Sequence, residues 1–231
     1  LRRLTADGGE QVPAFSPDGS AVAFVRGNNL YYTSTSGNKP AEVIAVTTDG
    51  EYNKIINGHA DWVYEEEFSF TRAFAFSPDS KQLAFLRFDE SQVEEFVMGR
   101  YLGGLYPQPI TFKYPKAGEK NAVVELYRYD IQSGNRTKID VGREKDQYIQ
   151  RVSWTPEGEV YCYRSNRLQN HFDLLVADAA GNTKVVYTET DSRYVERLND
   201  HTVTFLPKGG KFLVMNETNG YKHVYMYDRA K

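Results

Sequence analysis

A single cysteine, Cys162, stands in a chain of 231 residues. That excludes an internal disulfide framework and any zinc site built on clustered thiolates. A buried, inert thiol is the expectation that remains, and it says little about redox compartment. Long apolar runs are missing too. No stretch approaches the ~18 consecutive apolar residues of a membrane helix, and Leu1-Arg2-Arg3-Leu4 does not open into the apolar centre of a signal peptide. Charge of one sign is not concentrated: 28 basic and 31 acidic residues leave a net charge of -3. No basic cluster gives the footprint of a nucleic-acid partner. His59, His171, His201 and His223 lie far apart and without zinc-ligand spacing. Gly103-Gly104 and Gly209-Gly210 lack the Lys-Ser that would follow in a phosphate loop, and no Gly-x-Ser-x-Gly elbow supplies an acyl-transfer nucleophile. No metal, cofactor or catalytic residue is therefore nominated within the chain. It begins without methionine and stops just after a strand signal, as expected of a piece of a longer protein.

What is present is repetition. With 40% hydrophobic residues the chain can bury a sizeable core, and a strand, a Pro-containing turn and a second strand recur four times. The copies are Val12-Pro13-Ala14-Phe15-Ser16-Pro17-Asp18-Gly19, Ala73-Phe74-Ala75-Phe76-Ser77-Pro78-Asp79-Ser80, Val152-Ser153-Trp154-Thr155-Pro156-Glu157-Gly158 and Thr202-Val203-Thr204-Phe205-Leu206-Pro207-Lys208-Gly209. Proline presets φ at the second turn position, and glycine accepts positive φ before the chain reverses. A further pair of strand signals follows each of the first three hairpins, joined by Gly/Asn turns such as Ser36-Gly37-Asn38 and Ser133-Gly134-Asn135. Four antiparallel strands per unit, rich in Val, Tyr and Phe at alternating positions, make a β-propeller blade.

The predicted fold is thus all-β, a propeller fragment of about three and a half blades. The units are roughly 1–60, 72–141, 148–190 and an incomplete 200–231. The repeated prolines at 17, 78, 156 and 207 are 61, 78 and 51 residues apart, against roughly 40 to 50 in a plain blade. Insertions at 47–72 and 89–121 account for the excess, and long insertions in a regular repeat tend to carry function. The first holds the one dense polar constellation, Asp61-Trp62-Val63-Tyr64-Glu65-Glu66-Glu67-Phe68. Its plain reading is a solvated acidic turn of a short helix capped by Asp61. Held near a pocket, adjacent carboxylates call for a cation.

The stretch Asn57-Gly58-His59-Ala60-Asp61-Trp62-Val63-Tyr64-Glu65-Glu66-Glu67-Phe68, followed by a Ser-Pro-Asp turn and then by Tyr114-Pro115-Lys116-Ala117-Gly118, resembles the N-terminal propeller of the dipeptidyl peptidase IV family, within the prolyl oligopeptidase superfamily of serine peptidases. Asn219-Gly220-Tyr221-Lys222-His223 resembles a stretch of that propeller's later blades. The resemblance covers almost the whole chain. It implies an exopeptidase that removes N-terminal dipeptides with Pro or Ala second, its Ser-Asp-His triad lying on an α/β-hydrolase domain that is absent here, so that this chain alone is inactive. It further implies that Glu66 and Glu67 bind the free α-ammonium of the peptide, with Glu65 a weaker candidate, and that no cofactor takes part. Trp62, Val63 and Tyr64 are expected to pack the helix in place.

The same resemblance implies a homodimer contact through the 89–113 arm, with Val93, Phe96, Val97, Met98, Tyr101, Leu102, Leu105 and Tyr106 forming its apolar face, and a periplasmic or extracellular location. Two departures stand out. Leu198 and Asn199 occupy the places of an aromatic residue and an arginine of the family's pocket, so that wall is expected to differ. A further arginine of the family belongs before Leu1. The competing class is a non-catalytic propeller that binds protein partners; an oligopeptidase or acylaminoacyl peptidase relative, active on blocked peptides, is a third. With too few blades to close the family's ring, an open arc is expected, or edges covered by another copy, rather than a closed four-bladed ring.

Overall fold

The computed structural model describes residues 2–37, 42–196, 198–208 and 210–229. The first sheet runs β1 (Gln11–Phe15), β2 (Ala21–Arg26), β3 (Asn29–Ser34) and β4 (Val43–Ala45), in that order and antiparallel. The sequence signal for the fourth strand, Ala41-Glu42-Val43-Ile44-Ala45-Val46, is longer than β4 itself, and Ala41 lies outside the described residues, as do Arg197 and Gly209. The Ser-Pro-Asp turns form for a reason legible in their hydrogen bonds. Buried Ser16 donates to Asp18 at 2.7 Å and accepts from the Ala21 amide at 3.0 Å. Ser77 repeats this with Asp79 and Gln82 at 2.6 and 2.9 Å, and Ser80 takes the left-handed conformation at φ 64°.

The second sheet is less regular. Its central strands are β7 (Gln82–Asp89) and β10 (Val123–Asp130), with β11 (Arg136–Ile139) outside β10. The other edge of β7 is shared by two short strands: β6 (Phe74–Phe76) pairs with its first half and β5 (Ile55–Asn57) with its second. Residues 55–57, which the repeats place in the first unit, therefore pair into the second. Between β5 and β6 the edge position is interrupted by the chain's helix, α1 (Trp62–Phe68). Gly58 opens that excursion: its φ is 75°, and a Cβ there would stand 3.2 Å from Leu30 and Val25 side chains. The third sheet is β12 (Gln147–Trp154), β13 (Val160–Asn166), β14 (His171–Ala177) and β15 (Thr183–Thr190); the fourth holds β16 (Val203–Phe205), β17 (Lys211–Asn216) and β18 (His223–Asp228).

Three apolar cores lie between successive sheets. The first joins Val25 and Leu30 to Phe74 and Phe85. The second joins Leu86, Phe88 and Leu126 to Ile149, Trp154 and Cys162, and takes in the buried face of α1. The third joins Tyr163 and Leu174 to Val203 and Phe212. Among the described residues no such core links the fourth sheet back to the first, so the blades form an all-β propeller arc rather than a closed ring. Cys162 is buried in the second core, and burial pushes its thiol up to about 12, far from the thiolate a reactive cysteine needs.

The second insertion folds as a separate hairpin, β8 (Glu95–Arg100) with β9 (Gln108–Lys113). Phe96, Val97, Met98, Tyr101, Leu102, Leu105 and Tyr106 are exposed along it as expected, whereas Val93 is not part of that face: it is buried in the second core. The hairpin's root is packed against α1. The rings of Trp62 and Tyr114 stand 4.2 Å apart, and Lys113 donates to the Val93 carbonyl at 2.8 Å.

At this root two buried carboxyls lie close enough to repel. Burial raises Glu90 from its ordinary 4.5 to about 7, with Asp61 and Asp89 adding to the rise and Lys113 opposing it. Burial likewise raises Asp61 from 3.8 to about 6, against the amide of Tyr64 that it caps. Both groups bind protons more tightly in the folded chain than in the unfolded one. The stability they contribute is therefore complete below their ordinary values and is lost as pH rises through about 6 and about 7. Glu90→Gln is expected to remove Glu90's share of that loss, stabilising the protein by about 2 kcal/mol at pH 8 and by little at pH 5. Thermal unfolding of variant and parent at the two pH values measures this, and an equal shift at both would refute it.

Candidate functional site

Short helices survive in proteins by packing rather than by propensity, and α1 is a clear case. Asp61 caps it, accepting from the Tyr64 amide at 2.9 Å, and Ser69 ends it in the left-handed conformation at φ 54° and ψ 47°. Val63, Tyr64 and Phe68 form its buried stripe. Tyr64 sits among four rings, those of Phe68, Phe70, Phe88 and Tyr148, at centroid distances of 5.1, 5.8, 4.9 and 6.1 Å. Its hydroxyl accepts a hydrogen bond from the Ile149 amide at 2.9 Å. The expected packing role holds for all three: Val63 and Tyr64 are buried in the second core, and Trp62 packs against that core and on Tyr114 of the hairpin root.

The three glutamates occupy the opposite face. Glu65, Glu66 and Glu67 are all exposed, on consecutive positions covering most of one helical turn. The sequence thus places two acidic side chains, Glu66 and Glu67, at the last turn of a helix whose other face cannot move without opening the core. Glu67 lines a cleft of about 800 Å³ between α1, the hairpin and the third sheet, with Trp62, Phe112, Tyr114, Tyr148 and Arg167 around it. Burial raises the Tyr148 phenol pKa; Arg167 and the Asn121 amide oppose this, and Asp146 and Glu67 add to it. The cleft is therefore aromatic in its walls and acidic at one rim.

A second cleft of about 510 Å³ opens where the chain leaves α1. Ser69, Phe70, Arg72, Arg151, Ser153 and Asp200 line it. Arg151 is the residue that sequence reasoning missed here. It is only 9% exposed, the one charged residue of its strand, and it follows a bulge where the β12–β13 register slips between Ile149 and Arg151. A lone arginine in a buried strand was the available signal, but its partners are distant in sequence.

The departures at 198–199 resolve into two environments. Leu198 is buried in the third core. Asn199 is exposed and turns its side chain back on its own loop, accepting from the His201 amide at 2.8 Å. The next residue, Asp200, reaches the second cleft. Among the described residues no three His, Cys, Asp or Glu side chains stand close enough to share a metal ion, and no helix is long and apolar enough to cross a membrane.

The chain as a whole has known relatives. Residues 1–231 match the family described as the dipeptidyl peptidase IV (DPP IV) N-terminal region. A probable dipeptidyl peptidase 4 of Neosartorya fischeri is 31% identical over the whole chain, which spans 32% of that protein's length. The inactive dipeptidyl peptidase 10 of Rattus norvegicus is 30% identical over 88% of the chain, which spans 26% of it. Among solved structures, dipeptidyl peptidase 4 of Porphyromonas gingivalis superposes with a TM-score of 0.89 at 39% identity, covering 96% of this chain and 31% of its own. The chain spans about a third or less of the length of these relatives. With its whole length matched to that family and an all-β propeller arc as its fold, the chain belongs to the dipeptidyl peptidase IV family, as its N-terminal region.

Proposed function

We propose that this chain is the substrate-binding propeller portion of a serine exopeptidase that releases N-terminal dipeptides with Pro or Ala in second place, and that Glu66 and Glu67 receive the free α-ammonium of the peptide. The observation that carries the proposal is the helix itself. Two exposed carboxylates stand side by side on a short element whose buried face is fixed by Tyr64 and Phe68. Adjacent like charges on a rigid support repel, and an ammonium relieves that repulsion while donating charge-assisted hydrogen bonds to both. A blocked N-terminus brings no positive charge and forgoes those charge-assisted bonds, so the pair selects against internal peptide bonds. Bond cleavage falls to an α/β-hydrolase domain outside this chain, and a periplasmic or extracellular location accords with the family. The names of the fungal and bacterial relatives support the activity.

A second reading is favoured by one finding. A relative of comparable identity is named as inactive, so a propeller of this kind can serve in a protein that does not cut peptides, as a module for binding protein partners. The two readings separate in the full-length enzyme assayed on a Gly-Pro chromogenic dipeptide. Glu66→Gln and Glu67→Gln are each expected to lower kcat/KM on the order of 100-fold, since losing one charge-assisted bond costs about 2–3 kcal/mol, and N-acetylation of the substrate should abolish turnover. Unchanged cleavage by either variant would remove that residue from the amine site.

The hairpin makes a second claim. Tyr101, Leu102, Leu105 and Tyr106 are 77%, 80%, 98% and 84% exposed, an apolar tip of the kind that marks a protein contact. We expect the full-length protein to be a homodimer through this arm. Sedimentation should give a dimer for the parent and a monomer for the Leu102→Asp, Leu105→Asp double variant at micromolar concentration; a monomeric parent would overturn the assignment.

A further inference from the structure

From the contacts of Arg151 we infer that this residue is a positioning residue for the amine site, a clamp that holds the end of the acidic helix to a loop two sheets away. The inference rests on the reading of Glu66 and Glu67 given above. Arg151 donates from one terminal nitrogen to the Phe68 carbonyl at 2.9 Å, from the other to the Gln150 carbonyl at 2.7 Å, and from Nε to Asp200 at 2.5 Å. Its guanidinium also lies 4.8 Å from the centre of the Phe70 ring. The planar fork is thus used in three directions at once, a geometry that a lysine cannot reproduce.

Each partner belongs to a different element. Phe68 is the last residue of α1, and its carbonyl is among those that a helix leaves without an intrahelical donor. Gln150 is the bulge residue of β12, and bulges serve to re-aim the side chains beside them. Asp200 belongs to the loop that follows Leu198 and Asn199, and 75% of its side chain is exposed while that of Arg151 is 11% exposed. A buried guanidinium is tolerated only while its charge is paired and its donors are used. Loss of any one bond therefore disturbs the others.

The consequence for the site follows from chain connectivity. The Phe68 peptide is the next unit after Glu67, so the bond to its carbonyl fixes the last turn, on which both carboxylates stand. Tyr64 pins the helix one turn earlier through the Ile149 amide. The strand β12 thus grips α1 at two points, and Arg151 is the one that also reaches the fourth sheet. Recognition of a single ammonium by two carboxylates requires placement to within about 0.5 Å, a demand that the first grip alone does not meet at the helix end.

The test uses the full-length enzyme and a Gly-Pro chromogenic dipeptide. Arg151→Met keeps the aliphatic bulk and removes the fork; KM is expected to rise at least tenfold with kcat within threefold of the parent. The rate of inactivation by diisopropyl fluorophosphate, which reports on the hydrolase serine alone, should not change. Glu67→Gln combined with Arg151→Met should cost less than the product of the two single effects, because both act through one placement. A KM within twofold of the parent, or strictly multiplicative effects, would overturn the inference. Should Arg151→Met fail to fold, Asp200→Asn on the exposed loop decides: a threefold or larger rise in KM supports the clamp and an unchanged KM removes it. If Glu67→Gln itself leaves KM unaltered, the amine-binding reading fails and takes the clamp with it. If Glu67→Gln raises KM while Arg151→Met does not, the clamp alone fails.

Discussion

The acidic helix depends on one buried contact, the hydroxyl of Tyr64 with the amide of Ile149. A seven-residue helix cannot hold itself in water. This one is held because a tyrosine at its centre enters the core between the second and third sheets, fills it with an aromatic ring and satisfies a backbone donor there. That donor stands immediately before the β12 bulge, at a point where the ladder to β13 is irregular. Replacing the hydroxyl by hydrogen would leave a buried N–H without its acceptor, at a cost of about 1–3 kcal/mol. Helix and bulge are therefore mutually supporting: the Ile149 amide finds its acceptor on the helix, and the Phe68 carbonyl at the helix end finds a donor in Arg151 beside the bulge.

This arrangement explains why the charged face can be so dense. Three consecutive carboxylates would destabilise a free helix, since Asp61 alone already supplies the acidic cap. Here the helix's position is set by its apolar stripe, and the glutamates stand on the opposite, exposed face. The same separation appears at the hairpin root, where the rings of Trp62 and Tyr114 pack at a tilt of 57° while Glu90 and Asp61 share a buried site in which burial disfavours both charges. Polar strain is kept on elements that the aromatic contacts have already fixed.

Much of the architecture was legible in the sequence because it rests on local chemistry. The Ser-Pro-Asp turns announce themselves through a serine and an aspartate two residues apart, and both prove to bond the same turn. The capped helix was legible for the same reason, Asp61 standing three residues ahead of the amide it binds. What the sequence concealed is what depends on distant partners. β5 and β6 are three residues each, too short to show alternation, and their sharing of one edge of β7 is a fact of pairing alone. Val93 reads as one more apolar residue of the arm, yet it is drawn into the core because Lys113 and Glu90 fold the root back on it. Arg151 and Asp200 are 49 residues apart and resemble any surface pair until the bulge turns them together.

The interruption of an edge strand by α1 has a geometric meaning of its own. A helix inserted in a loop between blades would be free to follow that loop. By contrast, α1 enters from β5 and leaves into β6, and both ends are hydrogen-bonded to one continuous strand, β7. Its two anchors are thus spaced by the length of β7 rather than by a flexible connection. The carbonyl of Gly58 and the amide of Ala73 close the excursion at 3.0 Å, and Ala60 and Thr71 repeat the bond at 2.8 Å. The excursion is a closed loop sealed at its neck, and its tip carries Glu65 to Glu67. Sealing the neck fixes where the loop emerges, packing of Tyr64 fixes its tilt, and the contacts of its last carbonyl fix its end. Those three constraints together are what allow a surface element to present charge at a defined point, which a loop of the same sequence without them would not do.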